Sequence, residues 1–159
     1  MWKRILSLLV AVAMIVSLTG CVEETIGSVL FLFLVATGDD SAEKEEVFDF
    51  VLENEAELRK AIADGDFSAF ENQGIVKDID ADETVVEFSC GGAGVGSGTS
   101  YVGFYYSPNN DVTAVWCAPS SASQLKPSGD GYEWRETNGD NRYYTQKICD
   151  NFYYYEASF

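Results

Sequence analysis

Histidine is absent from the 159 residues, and basic residues are few. Without imidazole the chain cannot form a Ser-His-Asp or Cys-His nucleophilic site, or a zinc or copper site that needs a histidine ligand. Lysine and arginine number 10 against 26 acidic residues, so the formal net charge is −16. Nucleic acid and anionic lipid headgroups repel such a surface. We therefore predict no nucleic-acid partner, no catalytic residue, no metal site and no cofactor.

The first twenty-one residues carry the most specific motif of the chain. Lys3 and Arg4 precede an uncharged apolar run over residues 5–16, and Leu18-Thr19-Gly20-Cys21 follows. A basic start, a short apolar run and small residues before a cleavage point are typical of a secretory signal. The Leu-Thr-Gly-Cys ending resembles a bacterial lipobox, over residues 1–21. The resemblance implies cleavage before Cys21, diacylation of its thiol, and a lipoprotein anchored on the extracytoplasmic side of the cell membrane. The alternative is an ordinary signal peptide or a short membrane helix with a chance cysteine.

Three segments follow from this interpretation: a signal peptide over residues 1–20, a lipidated N-terminus over residues 21–41, and one domain over residues 42–159. The mature chain keeps 8 of the 10 basic residues and all 26 acidic ones, a formal net charge of −18. Because a membrane surface repels such a domain, the lipid is what holds it there.

A second apolar run covers residues 26–37. Its twelve residues are too few to span a bilayer. Phe31-Leu32-Phe33-Leu34-Val35 is apolar on all sides, so the run is either buried in the domain or inserted into the outer leaflet beside the lipid. In a third arrangement cleavage fails and residues 5–37 form a membrane hairpin. The sequence leaves these arrangements open.

Residues 42–63 are predicted to form one amphipathic helix. Asp40 and Glu43 resemble a capping box before it, and Gly65 is a plausible C-cap after it. The apolar stripe at helical spacing consists of Val47, Val51, Leu58 and Ile62.

After Gly74 the pattern changes to period two. Short segments rich in Val, Thr, Tyr and Phe predict five strands: Glu83–Cys90, Ser100–Ser107, Asp111–Cys117, Tyr132–Thr137 and Arg142–Cys149. Phe152-Tyr153-Tyr154-Tyr155 either extends the last strand or begins another after a bulge. Short turns favour up-and-down connection. The expected fold class is α+β, with one N-terminal helix packed on an antiparallel meander sheet of about five strands.

The cysteines contain no Cys-x-x-Cys pair, so a metal cluster is not expected. Export permits a disulfide, and an up-and-down sheet places Cys90, Cys117 and Cys149 at the same end. Both Cys90 and Cys149 precede turn residues. We therefore predict a Cys90–Cys149 disulfide with Cys117 free, which requires the sheet to curl.

Two motifs suggest ligand binding, and both fail on spacing. In the glycine-rich Gly91–Gly98 segment the sixth position is Ser97 or Thr99, and a strand follows where a dinucleotide fingerprint needs a helix. Asp78–Asp82 begins like a calcium loop, but Glu83 and Ser89 occupy its glycine and bidentate-acid positions. We interpret the first as a hairpin loop and the second as a solvated acidic turn, with loose calcium binding left open.

Aromatic residues are dense in the sheet region. Consecutive positions of a strand point to opposite faces, and the helix covers only one, so part of this set should be exposed. Exposed tyrosine rings suit peptide or sugar contact. The candidate ligand-binding residues, beside the glycine loop, are Tyr101, Tyr105, Tyr143, Tyr153 and Tyr155. The alternative is that the rings fill and cover a thin core.

These observations predict a membrane-anchored, non-enzymatic binding or interaction module whose partner is a protein or a glycan. The alternative is a carboxylate-dependent hydrolase of cell-wall or sugar substrates, because paired carboxylates support glycoside hydrolysis. An open aromatic face would favour the binding module, and two adjacent carboxylates in a deep cleft would favour the hydrolase.

Overall fold

The computed structural model describes residues 41–71, 73–95 and 98–159. These residues belong to one compact unit of α+β class, with two helices and a seven-stranded antiparallel sheet. None of the helices in this part of the chain is both long and apolar enough to cross a membrane. The predicted signal peptide, the lipobox cysteine Cys21 and the apolar run 26–37 lie outside the described residues.

The predicted single helix is two helices, α1 (Lys44–Glu53) and α2 (Glu55–Asp64), separated at Asn54. The backbone N–H and the side-chain amide of Asn54 both donate to the carbonyl of Phe50, at 3.1 and 2.8 Å. Asparagine side chains compete with the helical backbone in this way, which is why they favour helix ends. The N-terminal cap is Glu43, whose N–H donates to Glu46 at 3.2 Å, and α2 ends as predicted at Gly65 with a φ of 66°.

The strands in chain order are β1 (Asp78–Ala81), β2 (Val86–Val95), β3 (Gly98–Tyr106), β4 (Lys126–Ser128), β5 (Gly131–Arg135), β6 (Arg142–Cys149) and β7 (Phe152–Ser158). A short 3₁₀ turn over Ala122–Gln124 precedes β4. The order across the sheet is β1-β2-β3-β7-β6-β5-β4, so β7 is inserted between β3 and β6. The predicted sequential meander is therefore wrong.

Aromatic side chains hold β7 against β3. Tyr105 stacks on its register partner Tyr153 with ring centroids 5.4 Å apart, and Phe104 pairs with Tyr154. A tight turn at Asn151, with a φ of 67°, sends the chain back from β6. Cross-strand aromatic pairs are a main source of sheet stability. Phe152-Tyr153-Tyr154-Tyr155 is thus part of a separate strand and not an extension of β6.

Two further segments, Asp111–Cys117 and Asp78–Asp82, also differ from the prediction. Asp111–Cys117 forms turns instead of a strand. The carboxylate of Asp111 accepts the backbone and side-chain donors of Thr113 at 2.8 and 2.7 Å, a local alternative to strand pairing. The predicted acidic turn at Asp78–Asp82 is instead mostly strand β1, whose Ile79 packs on the core.

The sheet is covered on both faces. Both helices pack on one face, where Val47, Leu58 and Phe104 are completely buried. The chain between β3 and β4 covers the other face with Val115, Cys117 and Leu125. This second cover has no counterpart in the sequence-based prediction, and it decides which aromatic residues reach solvent.

The three cysteines in the described part of the chain, Cys90, Cys117 and Cys149, are free thiols. Cys90 lies on β2 and Cys149 ends β6, and two strands separate them. Three strand spacings amount to about 14 Å, well beyond the roughly 7 Å that a disulfide spans. Cys117 packs on the opposite face of the sheet. The strand order thus contradicts the predicted Cys90–Cys149 disulfide, and burial raises the pKa of Cys90 and of Cys117 to about 12.

Candidate functional site

The predicted tyrosine platform is buried. Tyr105, Tyr143, Tyr153 and Tyr155 expose between 0% and 5% of their surface, and Tyr101 is partly buried. The hydroxyls of Tyr105 and Tyr143 donate to the carbonyl of Val112 at 3.0 and 3.1 Å. The prediction that these rings form an open binding face is therefore wrong, because the β3–β4 connection covers the face they share.

Trp116, on that same connection, is a large ring that does reach solvent and exposes 61% of its surface. Its position is fixed by three contacts. The indole N–H donates to Glu87 at 3.2 Å, the indole stacks on Phe159 at 5.6 Å, and Tyr101 meets it edge-on at 5.4 Å. Because these contacts hold the exposed ring in one position, little conformational entropy is lost when a partner binds it.

Strands β1 and β2 place acidic side chains beside Trp116. Asp78 lies opposite Ser89 in the register, and Asp80 lies opposite Glu87. Alternate positions of paired strands share a face, so all four lie on the side away from the helices. They line a shallow cavity of about 190 Å³ with Tyr101, Trp116 and Tyr155. We call the residues Asp78, Asp80, Glu87, Ser89, Tyr101 and Trp116 the Trp116 surface.

Glu87 is the half-buried acid of this surface. Burial raises its pKa, and the negative charges of Asp80 and Asp78 add to the increase. Hydrogen bonds from Tyr155 at 2.5 Å and from Trp116 oppose it without cancelling it. Burial and the nearby Glu87 also raise the pKa of the Tyr155 hydroxyl, so Tyr155 remains a donor.

The chemistry of the Trp116 surface suits a positively charged group. Asp78 and Asp80 are exposed carboxylates, and the face of an indole attracts cations through its quadrupole. Across the described ranges, no group of three or more acidic or thiol side chains is placed to hold a metal ion. A cation that brings its own hydrogen-bond donors, such as guanidinium or ammonium, suits both the carboxylates and the indole.

Sequence reasoning identified part of this surface. Tyr101 was among the candidate ligand-binding residues, and Asp78 and Asp80 stood out as clustered acids. The alternation Asp78-Ile79-Asp80 is a strand signal that could have placed both carboxylates on one face. No sequence pattern marks Trp116, because its exposure depends on how the β3–β4 connection folds over the sheet.

Comparison of the chain with protein-family models, with curated proteins and with solved structures gives no match. No relative therefore supplies a function, a substrate or a set of site residues. Function has to be inferred from the geometry and chemistry of the surface itself.

Proposed function

We propose that this protein is a membrane-anchored extracytoplasmic lipoprotein whose domain binds a basic protein segment and catalyses no reaction. The observation that carries the proposal is the exposed indole of Trp116 beside the carboxylates of Asp78 and Asp80. The anchor is supported by Leu18-Thr19-Gly20-Cys21. The negative charge of the domain opposes adhesion to a membrane, so a covalent lipid would be needed to hold the domain there.

The energetics favour a cationic partner. Tryptophan and arginine are over-represented among the residues that dominate protein interfaces. A cation over an indole contributes about 0.5–2 kcal/mol, depending on how far the pair is desolvated. The surplus of acidic residues steers positively charged partners toward the domain and repels negatively charged ones. The indole therefore contributes to the binding affinity, and the net charge of the domain raises the association rate.

The test is a binding titration with the full chain in detergent, using a labelled hexa-arginine peptide and its hexa-glutamate counterpart. Trp116→Ala should weaken hexa-arginine binding about tenfold, which corresponds to roughly 1.4 kcal/mol. Tyr132→Ala is the matched control, because Tyr132 is also an exposed aromatic residue, at 46%, but lies on β5 away from the surface. The affinity of Tyr132→Ala for hexa-arginine should equal that of the wild type.

A second pair of variants tests the charges. Asp80→Asn removes an acid from the Trp116 surface, and Asp130→Asn removes an exposed acid between β4 and β5. Only Asp80→Asn should weaken binding beyond the effect of net charge. The proposal would be contradicted if Trp116→Ala and Tyr132→Ala lost equal affinity for hexa-arginine and Asp80→Asn and Asp130→Asn did so too. It would also be contradicted if the wild type did not bind hexa-arginine.

The alternative, a carboxylate-dependent hydrolase, has one observation in its favour. The raised pKa of Glu87 suits the general acid of a glycosidase. Asp80, opposite Glu87 in the register, would be the second carboxylate. The cavity, at about 190 Å³, is smaller than the roughly 300–1,000 Å³ of ordinary small-molecule sites, which ranks this function second. Release of reducing ends from cell-wall glycan by the wild type but not by Glu87→Gln would establish the hydrolase instead.

A further inference from the structure

A larger cavity lies on the other face of the sheet, beside the start of α1. It has a volume of about 460 Å³ and crosses β3, β7, β6 and β5. This volume falls within the roughly 300–1,000 Å³ typical of small-molecule sites. We call it the arginine groove and define it by Ser100, Glu133, Arg135, Arg142, Tyr144, Glu156 and Ser158.

The strand register arranges these side chains in two rows. Arg135 is opposite Arg142, Arg142 is opposite Ser158, and Ser158 is opposite Ser100. The adjacent row, two residues along each strand, consists of Glu133, Tyr144, Glu156 and Val102. The residues between the rows have side chains that pack in the core of the opposite face, so they meet the groove through their backbone.

The first row contains an arrangement that proteins ordinarily avoid. Arg135 and Arg142 are directly opposite neighbours on the same face, and like charges in that relation are destabilising. Arg135 has an ion pair with Glu133 at 3.3 Å. Within the described residues Arg142 has no acidic partner. An anion between the two guanidinium groups would relieve the repulsion.

Further cations surround the same groove. Lys126 is opposite Glu133, and Lys44 donates to the hydroxyl of Tyr144 at 3.2 Å. Lys44 and Lys126 thus lie beside a groove whose own lining contains two arginines and two glutamates. One of these, Glu156, already accepts the hydroxyl of Tyr154 at 2.5 Å. The two lysines add positive charge beside a lining whose own charges balance.

We propose that the arginine groove binds a small molecule that carries one carboxylate or phosphate group together with a hydroxyl or ammonium donor. The oxyanion lies between Arg135 and Arg142, where guanidinium groups can bind it in a bidentate manner, and the row continues with the hydroxyl of Ser158. The donor of the ligand faces the row of Glu133 and Glu156. This site lies on the face opposite the Trp116 surface and does not depend on the function proposed for that surface.

Calorimetric titration of the full chain in detergent tests the ligand class with three related probes. Serine presents a carboxylate, phosphoethanolamine presents a phosphate, and ethanolamine lacks both while keeping the ammonium and hydroxyl groups. At least one of the first two should bind about tenfold more tightly than ethanolamine, as charge-assisted hydrogen bonds predict. The better of the two identifies the oxyanion. Failure of both to bind at millimolar concentration overturns the proposal.

Two substitutions on β6 locate the binding. Arg142→Gln should weaken the preferred probe about tenfold, because it removes half of the guanidinium pair. Lys147→Gln removes one exposed charge near the other end of the same strand and should leave the affinity unchanged. Equal weakening by both would mean that overall charge attracts the anion, and would overturn the site.

Thermal melting without probe shows whether Arg142→Gln folds. Because the substitution removes one of two like charges that are opposite in the register, its melting temperature should be no lower than that of the wild type. The preferred probe should raise the melting temperature of the wild type and of Lys147→Gln, but not that of Arg142→Gln. A probe-induced rise in all three proteins would refute binding in the arginine groove.

Discussion

Glu87 combines two roles that compete energetically. Its carboxylate accepts the hydroxyl of Tyr155 and the indole N–H of Trp116, so it positions the exposed ring. Burial also makes its charge costly, which is why its pKa is raised. Glu87 thus links the position of Trp116 to a carboxyl group whose charged form burial disfavours.

The raised pKa predicts how stability depends on pH. The folded state binds the proton of Glu87 more tightly than the unfolded chain, so the contribution of Glu87 to the free energy of unfolding falls as pH rises from 4.5 through the raised folded value. Glu87→Gln removes this loss and keeps an oxygen acceptor. We expect the variant to be more stable than the wild type at neutral pH, with the difference disappearing at about pH 3.

Urea denaturation at both pH values measures this difference. Asp130→Asn, which removes an exposed acid elsewhere, shows how much comes from the lower net charge alone. A Glu87→Gln variant whose advantage is the same at both pH values would show that the carboxyl group is not strained by burial.

Among the elements, β3 shows how one small residue permits close packing. Gly103 is opposite Tyr155, whose ring lies over it. A Cβ atom at position 103 would lie 2.4 Å from the carbonyl oxygen of Phe88 and 2.8 Å from the ring of Tyr155. Glycine inside a strand marks such a close approach. It allows Tyr155 to reach Glu87, and thus connects sheet packing to the Trp116 surface.

Gly103→Ala should therefore reduce the free energy of unfolding by about 1–3 kcal/mol, the usual cost of overpacking. Gly98→Ala is the control on the same strand, since a Cβ atom there has no neighbour within 4 Å. Its effect should stay within about 0.5 kcal/mol. Chemical denaturation gives both values, and equal effects of the two substitutions would contradict the packing role of Gly103.

The domain that the structure describes presents different chemistry on the two faces of its sheet. The Trp116 surface is acidic and aromatic, whereas the arginine groove on the opposite face is lined by two arginines and two glutamates, with Lys44 and Lys126 beside it. A domain with this division could bind a basic protein and a small anion at the same time. Its proposed tether, through Cys21, lies outside the described residues.

Cys21→Ser tests the tether. If the lipobox interpretation is right, the variant should lack acylation and remain as precursor in the membrane fraction, since the thiol is the acylated group. Intact-mass analysis of membrane-extracted protein measures both properties. Cys149→Ser, at a half-buried position of β6, should be processed like the wild type. Equal cleavage and release of the Cys21→Ser and wild-type proteins would refute the anchor.

Local signals in the sequence determined the elements of this protein. Helical spacing placed Val47, Val51 and Leu58 on the buried side of the helices, and a glycine ended α2, because both depend on neighbours within a few turns. Period-two patterning and flanking turn residues located β6 at its observed bounds, Arg142–Cys149. The α+β class followed from these patterns.

Only the tertiary structure decided the strand order and the exposed surfaces. Pairing of β3 with β7 depends on aromatic contacts between residues such as Tyr105 and Tyr153, which are distant in sequence. Those contacts separate Cys90 from Cys149, and the β3–β4 connection buries the tyrosines and exposes Trp116. A periodic pattern shows which residues share a face, but long-range packing decides what covers that face.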